Sequence, residues 1–355
     1  MKKQNRSKDF SATVSRKRAH VELVVSEQVE FRHTSTGFDR LRFLHNALPE
    51  IALSDVDTHT IFLGKQLKSP ILISSMTGGY KEAEEINSAL GRLAKVFGVA
   101  VAAGSQRQAL ENKSYHNSFK VLRKENPSGV VFSNIGAVEL VKIIESKQIA
   151  KLQMLIGLLE ADGLIIHLNA LQELMQPEGE PNFRGVLKAI AECAKKIRLP
   201  IIVKEVGAGI SKESARRLVE AGVRVIDLAG AGGTSWAGVE ILRRKKKERS
   251  NLEPFWDWGI PTVDALLQVQ ELRNTMTFGL ISSGGIQDGI DIAKSIALGA
   301  DLVGIAKPLI TAYMTKGEKE LHSVMEVYIQ QLKYTMFLTG SATIDGLSKQ
   351  PLQRF

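Results

Sequence analysis

Short apolar, β-branched runs that end in glycine or polar residues recur along this chain. The first half contains "ILISSMTGG" from Ile71, "VAVAAGSQR" from Val99, "GVVFSNIG" from Gly129 and "GLIIHLN" from Gly163. The second half contains "PIIVKEVGAG" from Pro200, "VRVIDLAGAGG" from Val223, "FGLISSGG" from Phe278 and "DLVGIAKP" from Asp301. Successive positions in these runs are apolar without alternation, as in parallel strands covered on both faces. Amphipathic helical patterns separate most of them, for example from Glu82, Ser211 and Asp288, so strand and helix alternate as βα units do. Eight such units over about 240 residues predict a (β/α)8 TIM barrel, an α/β fold usually of ~250 residues. An open doubly wound sheet is the competing architecture, but its usual G-x-G-x-x-G fingerprint at the start of a helix is missing. The expected layout is one domain, with an N-terminal arm and lead-in over 1–69, a barrel core over 70–310, and a C-terminal helix and tail over 311–355.

Composition narrows the class. With 355 residues, 44% apolar and 24% charged, the chain can bury a full core. No apolar run approaches the length of a membrane span, and the basic first twenty residues lack the apolar centre of a secretion signal. A cytoplasmic location without membrane attachment is therefore expected. Cys193, the single cysteine, sits in a helical pattern, which leaves no disulfide or cysteine metal cluster and favours a structural thiol. The net charge of +9 suits nucleic acid, an acidic membrane, or an enzyme whose substrate and cofactor both carry phosphate. Charge alone does not choose among these.

The strand ends supply the candidate chemistry, because a barrel of this kind places its site at the carboxyl ends of its strands. Those ends read Thr77-Gly78-Gly79, Ser105-Gln106-Arg107, Asn134, His167 with Asn169, Lys204, Gly232-Gly233-Thr234, Gly284-Gly285 and Lys307. Any one of them is an ordinary turn; eight on one face make a site. Gly284 and Gly285 precede a helix expected near Asp288, and "IAKP" follows the eighth strand, so backbone amides and a helix start form a phosphate cradle there. "GAGGTS" adds amides and the Thr234 hydroxyl. A cofactor with one phosphate, such as FMN, would fit. Its ring would lie over the barrel mouth, with Lys204 balancing charge on the reduced ring, Ser105 and Asn134 bonding its polar edge, and Met76 and Thr77 in contact. The N-terminal "SRKRAH" carries Arg16, Lys17 and His20, which on composition alone read as a solvated tail.

These residues resemble type II isopentenyl-diphosphate isomerases, the FMN-dependent isomerases of isoprenoid biosynthesis. The resemblance spans nearly the whole chain and is carried by "RKRAH", "SSMTGG", "AAGSQR", "SNIGA", "HLNALQELMQPEGEPNFRG", "VKEVGAGIS", "DLAGAGGTSW", "WGIPT" and "SSGGIQDGIDIAKSIALGADLVGIAKPL". The long segment after the fourth strand is the most specific of these, since flavin barrels such as hydroxy-acid oxidases share the glycine-rich elements. The resemblance implies that this segment holds the substrate diphosphate and Mg²⁺. Glu173 would be the metal ligand, and His167, Asn169 and Gln172 the catalytic groups facing the substrate. Arg16, Lys17, His20, Ser105, Gln106 and Arg107 would complete the diphosphate grip with Gln172. The implied cofactor set is Ser75, Met76, Thr77 and Gly78 after the first strand, with Ser105, Asn134, Lys204 and Thr234. Gly284, Gly285, Ile286 and Gln287, then Ala306 and Lys307, complete it. The implied reaction moves the double bond of isopentenyl diphosphate to give dimethylallyl diphosphate, with reduced FMN as acid and base and NADPH as external reductant. A homo-oligomer, tetramer or octamer, is implied too.

Two features depart from the family pattern. Gln287 stands where Arg commonly follows Ile, which leaves only a neutral hydrogen bond at the cofactor phosphate. "RRKKKERS", from Arg243 to Ser250, reads as a solvated loop or oligomer contact, with no nucleic-acid fold accompanying it. Two rival functions remain. One is an FMN-dependent hydroxy-acid oxidase or dehydrogenase, although Thr234, Ser235 and Trp236 replace the catalytic His and Arg of those enzymes. The other is a basic nucleic-acid-binding protein, whose binding would weaken steeply with salt.

Overall fold

All eight expected strands form, and they close on themselves. The computed structural model describes residues 19–26 and 28–355; Arg16 and Lys17 lie outside the described residues. The strands are β1 (Ile71–Ile73), β2 (Ala100–Ala102), β3 (Val131–Gly136), β4 (Gly163–His167), β5 (Ile201–Lys204), β6 (Val225–Asp227), β7 (Gly279–Ser283) and β8 (Leu302–Ile305). They form a closed barrel in chain order, every neighbouring pair parallel. The pairing of β3 with β4 is the longest, from Phe132 opposite Gly163 to Gly136 opposite His167.

The two-residue period of a strand sorts these residues into layers. Leu72, Ala102, Phe132, Ile165, Ile202, Val225, Ile281 and Leu302, one from each strand, belong to a single buried cluster inside the barrel. Their neighbours Ile71, Ile73, Val131, Leu164, Ile166, Val203 and Ile226 face outward into the larger cluster formed with the helices. Filling the interior is worth about 1.5–3 kcal/mol per large aliphatic side chain, so the barrel is a packed core rather than a pore. Moving two residues further along every strand reaches Ser74, Gly104, Asn134, His167, Lys204, Asp227, Ser283 and Gly304. Thus the topmost inward layer contains no aliphatic side chain.

The amino ends of the strands are plugged. Thr60–Phe62 and Lys65–Leu67 form an antiparallel hairpin turned through Leu63 and Gly64, with φ of 50° and 75°, the left-handed pair that a two-residue type I′ turn requires. Phe62 and Leu67 join the barrel-interior cluster. The carboxyl ends are left open for a site.

Two further features lie outside the barrel. Leu41–Phe43 pairs antiparallel with Leu352–Arg354, so the lead-in and the tail are joined. Before that strand, a strap over Val29–Gly37 is laid across the loops after β6 and before β7. Phe31 N donates to Gly233 O (3.0 Å), Ser235 N to Val29 O (2.7 Å) and Val263 N to Thr36 O (2.9 Å). The Trp256 indole donates to Glu30 O (2.9 Å), and Asp257 accepts from the amides of Arg32, His33 and Thr34. Among the described residues, no helix is long and apolar enough to cross a membrane.

Candidate active site

A cavity of about 510 Å³ opens over the polar layer at the carboxyl ends of the strands. Asn134 and His167, adjacent on β3 and β4, form its centre. The Asn134 amide donates to Ala103 O (3.0 Å) and accepts at Oδ1 from His167 Nδ1 (2.9 Å). That acceptor places the proton of a neutral His167 on Nδ1 and its lone pair on Nε2. Asn134 is itself held from behind, because Gln106 Oε1 accepts from Asn134 N (3.0 Å) and from the Ser133 hydroxyl while Gln106 Nε2 donates to Leu155 O (3.1 Å).

Gln106 therefore departs from its expected role in the diphosphate grip. Its side chain is fully buried and consumed in satisfying the backbone and side chains of β3 and its neighbours, and only Ser105 and Arg107 on either side of it reach the cavity. A side chain on Gly78 would lie 2.2 Å from Phe119 on the helix Asn117–Glu125, so only the backbone of this residue is available to a cofactor. The other expected residues among those described all line the cavity.

After β4 the chain turns into a one-and-a-half-turn helix, Ala170–Met175, preceded by Asn169. Asn169 Nδ2 donates to Gln172 Oε1 (3.2 Å) and to Glu173 Oε1 (3.1 Å), and Glu180 N donates to Glu173 Oε2 (2.8 Å). Gln172 in turn donates to Glu240 Oε1 (3.1 Å). Glu240 is fully buried on the helix Trp236–Arg243, with Arg243 2.6 Å from Oε2 and His20 Nε2 2.9 Å from Oε1. Burial alone would raise its pKa, but His20 and Arg243 outweigh it and hold the carboxyl below its usual range. The sequence reading missed Glu240. The available signal was an acidic residue between Val239 and Ile241 in an apolar helix, three residues before an arginine.

The basic run after this helix is a solvated loop only in part. Lys245, Lys246 and Lys247 are exposed. Arg244, however, donates to Met175 O (2.7 Å) and Gln176 O (3.2 Å), the free carbonyl end of the Gln172 helix, and Arg249 donates to Arg244 O and Leu242 O. These guanidinium groups donate to part-buried carbonyls at and after helix ends, where intrahelical donors run out.

On the neighbouring strand β5, in register with His167, Lys204 follows inward-facing Ile202 by two residues and donates to Glu205 O (2.5 Å). Its charge is felt by Asp227, whose pKa burial nevertheless raises. Glu205 turns away, accepting the amides of Val206, Gly207 and Ala208. Arg107 reaches the cavity beside Glu111 (3.0 Å) and Glu139 (3.9 Å), and Lys142 pairs with Glu180.

The glycine cradle is built by close backbone packing. A side chain on Gly284 would come 2.2 Å from Gly230 O, and one on Gly233 would come 2.5 Å from Gly285 N. Gly284 and Gly285 have φ of 103° and 71°, a region costly for other residues. Among the described residues, the buried Ser74 and Ser75 hydroxyls, at the cavity wall beside this cradle, have no hydrogen-bond partner. Amide-lined turns, orphaned hydroxyls and Lys307 at the start of the helix Lys307–Lys316 suit a phosphorylated ring cofactor. For a cation the fit is narrower. Among the described residues, no group of three or more His, Cys, Asp or Glu could hold a metal, so Glu173 could bind one only with help from water and substrate oxygens, the manner of Mg²⁺.

Comparison with known proteins agrees with this geometry. Residues 161–354 match the family of FMN-dependent dehydrogenases, which defines the class: an FMN-type (β/α)8-barrel enzyme. A lactate oxidase of Pediococcus acidilactici superposes with a TM-score of 0.67 at 17% identity, covering 98% of this chain and 94% of that one. A mandelate oxidase superposes at 0.61 and 15%, covering 90% of each; both likenesses show the fold alone. The isopentenyl-diphosphate delta-isomerase of Chlorobium luteolum is 45% identical over 95% of both chains, and that of Nostoc sp. 44% identical over 96% of this chain and 95% of its own. The chain belongs to the isopentenyl-diphosphate delta-isomerase family.

Proposed function

We propose that this isomerase converts isopentenyl diphosphate to dimethylallyl diphosphate without net redox change, on reduced FMN, with Mg²⁺ on the diphosphate and NADPH as the external reductant. The observation that supports it best is the convergence of His167, Asn169, Gln172 and Glu173 on the same cavity as the glycine cradle. Bound reduced FMN would supply the acid and base that move the double bond.

The protein's own groups then divide the work. The cradle of Gly284, Gly285 and Ile286, with Thr234 and Lys307, would hold the cofactor phosphate. Lys204 would balance negative charge on the reduced ring, and Ser75 and Ser105 would donate to its polar edge. Glu173 would hold Mg²⁺, while Arg107 and His167 would take diphosphate oxygens; the Asn134 contact keeps the His167 ring fixed in orientation. Gln172 sits between Asn169 and Glu240, and this pairing would hold its amide against the alkene. Protonation of an unactivated alkene develops positive charge at a tertiary carbon. The buried Glu240 carboxylate, one hydrogen bond behind Gln172, would stabilise that charge through the amide. The helix containing His20, Val21 and Val24 lines the same cavity and would exclude water from the cationic centre.

The test is an anaerobic assay with FMN, NADPH, Mg²⁺ and isopentenyl diphosphate, following dimethylallyl diphosphate and NADPH together. Product far in excess of NADPH consumed is expected. Product equal to NADPH consumed, or none in the presence of bound reduced flavin, would overturn the proposal.

A further inference from the structure

Four cations line the cavity among the described residues: Arg107, Lys142, Lys204 and Lys307. Of these, Lys307 stands at the end of β8, beside the glycine turns that follow β6 and β7. Gln287, the nearby neutral side chain, adds no charge there. Lys307 is not idle: its ammonium is bonded to the carboxylate of Glu30.

Glu30 belongs to the strap that overlies the cradle, and its position does not depend on that ion pair. Its backbone bridges to Thr234 and accepts the Trp256 indole, and the flanking Val29 and Phe31 bond to Ser235 and Gly233. The strap lies hard against the cradle. A side chain on Gly232 would come 2.2 Å from Thr36 N, and one on Gly285 would come 2.3 Å from Thr36 Cγ2. The Glu30 carboxylate is thus carried by a fixed backbone to the mouth of the phosphate cradle, where it lines the cavity and engages the cation an entering phosphate would use. Like charges in this setting oppose each other, and one ammonium cannot serve both anions at full strength.

We propose that Glu30 is a built-in competitor for the cofactor's phosphate: its carboxylate engages Lys307 in the flavin-free protein, yields it on cofactor binding, and so sets how tightly this chain holds FMN. The inference rests on reading the cavity as an FMN site. It goes beyond that reading by assigning an affinity-setting role to a residue of the N-terminal strap.

Titrating flavin-free full-length protein with oxidised FMN and with riboflavin, by quenching of flavin fluorescence, tests it. Glu30→Gln keeps the backbone contacts and should tighten FMN about fivefold while changing riboflavin, which lacks the phosphate, by less than about twofold. Lys307→Met should weaken FMN about tenfold, and adding Glu30→Gln to it should then gain less than about twofold. Unchanged or weaker FMN binding in Glu30→Gln would overturn the inference, as would equal tightening of riboflavin or a full fivefold gain without Lys307. FMN binding with none of these effects would leave the cofactor reading standing; no flavin binding in any variant would overturn both.

Discussion

Asp291 offers a test whose magnitude follows from the structure. It lies in the first turn of the helix Gly289–Ala297, where Asp288 caps by accepting the amides of Ile290 and Asp291. Its own Oδ2 accepts from Gln287 N (3.1 Å) at the edge of the cradle. A helix start ordinarily favours a carboxylate. Here burial and the neighbouring Asp288 outweigh that benefit and push Asp291 from 3.8 to about 6. At about 1.36 kcal/mol per pH unit, the folded state loses about 3 kcal/mol once the pH exceeds both values. The sign follows from the raised value: the neutral acid is compatible with the fold, so its stabilising share is complete below pH 3.8 and is lost as the pH rises through about 6. Asp291→Asn keeps an acceptor for Gln287 and never ionises. With an unfolding entropy of about 2.1 cal/mol/K per residue, the variant should melt about 4 °C above the parent at pH 7, and only about 1.5 °C above it at pH 4.5. Melting curves of both proteins at those two pH values decide the matter. An equal shift at both, or a destabilised variant at pH 7, would refute the reasoning.

Four further outcomes are expected. Glu173→Gln should raise the Mg²⁺ concentration needed for half-maximal activity by about tenfold with flavin content unchanged; an unaltered Mg²⁺ response would remove Glu173 from the metal site. Lys204→Met should lower the midpoint potential of bound flavin, since it withdraws a positive charge from beside the reduced ring, as spectroelectrochemistry would show. Gly284→Ala must place a methyl 2.2 Å from Gly230 O at a positive φ, so it should cost about 2–3 kcal/mol and be purified with little flavin. Burial pushes the Cys193 thiol up to about 12, so a thiol reagent at pH 8 should label the folded protein only at the rate of its unfolding.

The strand-and-end logic was readable because each barrel strand announces itself twice. Ile202 is apolar and inward, and Lys204, two residues on, is charged and inward; periodicity locates both. The same rule places Asn134 behind Phe132 and His167 behind Ile165. Gln106 defeated it, because a glutamine just past a strand end can turn toward solvent or back into the protein. The unsatisfied groups of β3 and Leu155 that decide the matter lie 27 to 49 residues away in sequence. Glu240 was hidden for the opposite reason: Arg243 is its neighbour on the same helix, but His20 and Gln172 come from two distant segments, and only the folded barrel brings them to that carboxylate. The Thr60–Leu67 hairpin that plugs the barrel was also missed, since Leu63 and Gly64 form a turn without the usual Asn-Gly or Asp-Gly signature.

The joining of Leu41–Phe43 to Leu352–Arg354 bears on how the enzyme is made in a cell. The lead-in is translated before the barrel, and the strand it pairs with follows only after every barrel strand. The strap is likewise synthesised long before the loops around Gly233, Trp256 and Val263 on which it rests. A nascent chain can therefore assemble individual βα units as they emerge, but the barrel cannot close before Leu302–Ile305 is available to pair with Ile71–Ile73, and the strap cannot settle before the loops around Gly233, Trp256 and Val263 have formed. Cofactor capture must on this account wait for the last barrel strand, and a chain cut short before Leu352 would lack the strand that clasps the lead-in.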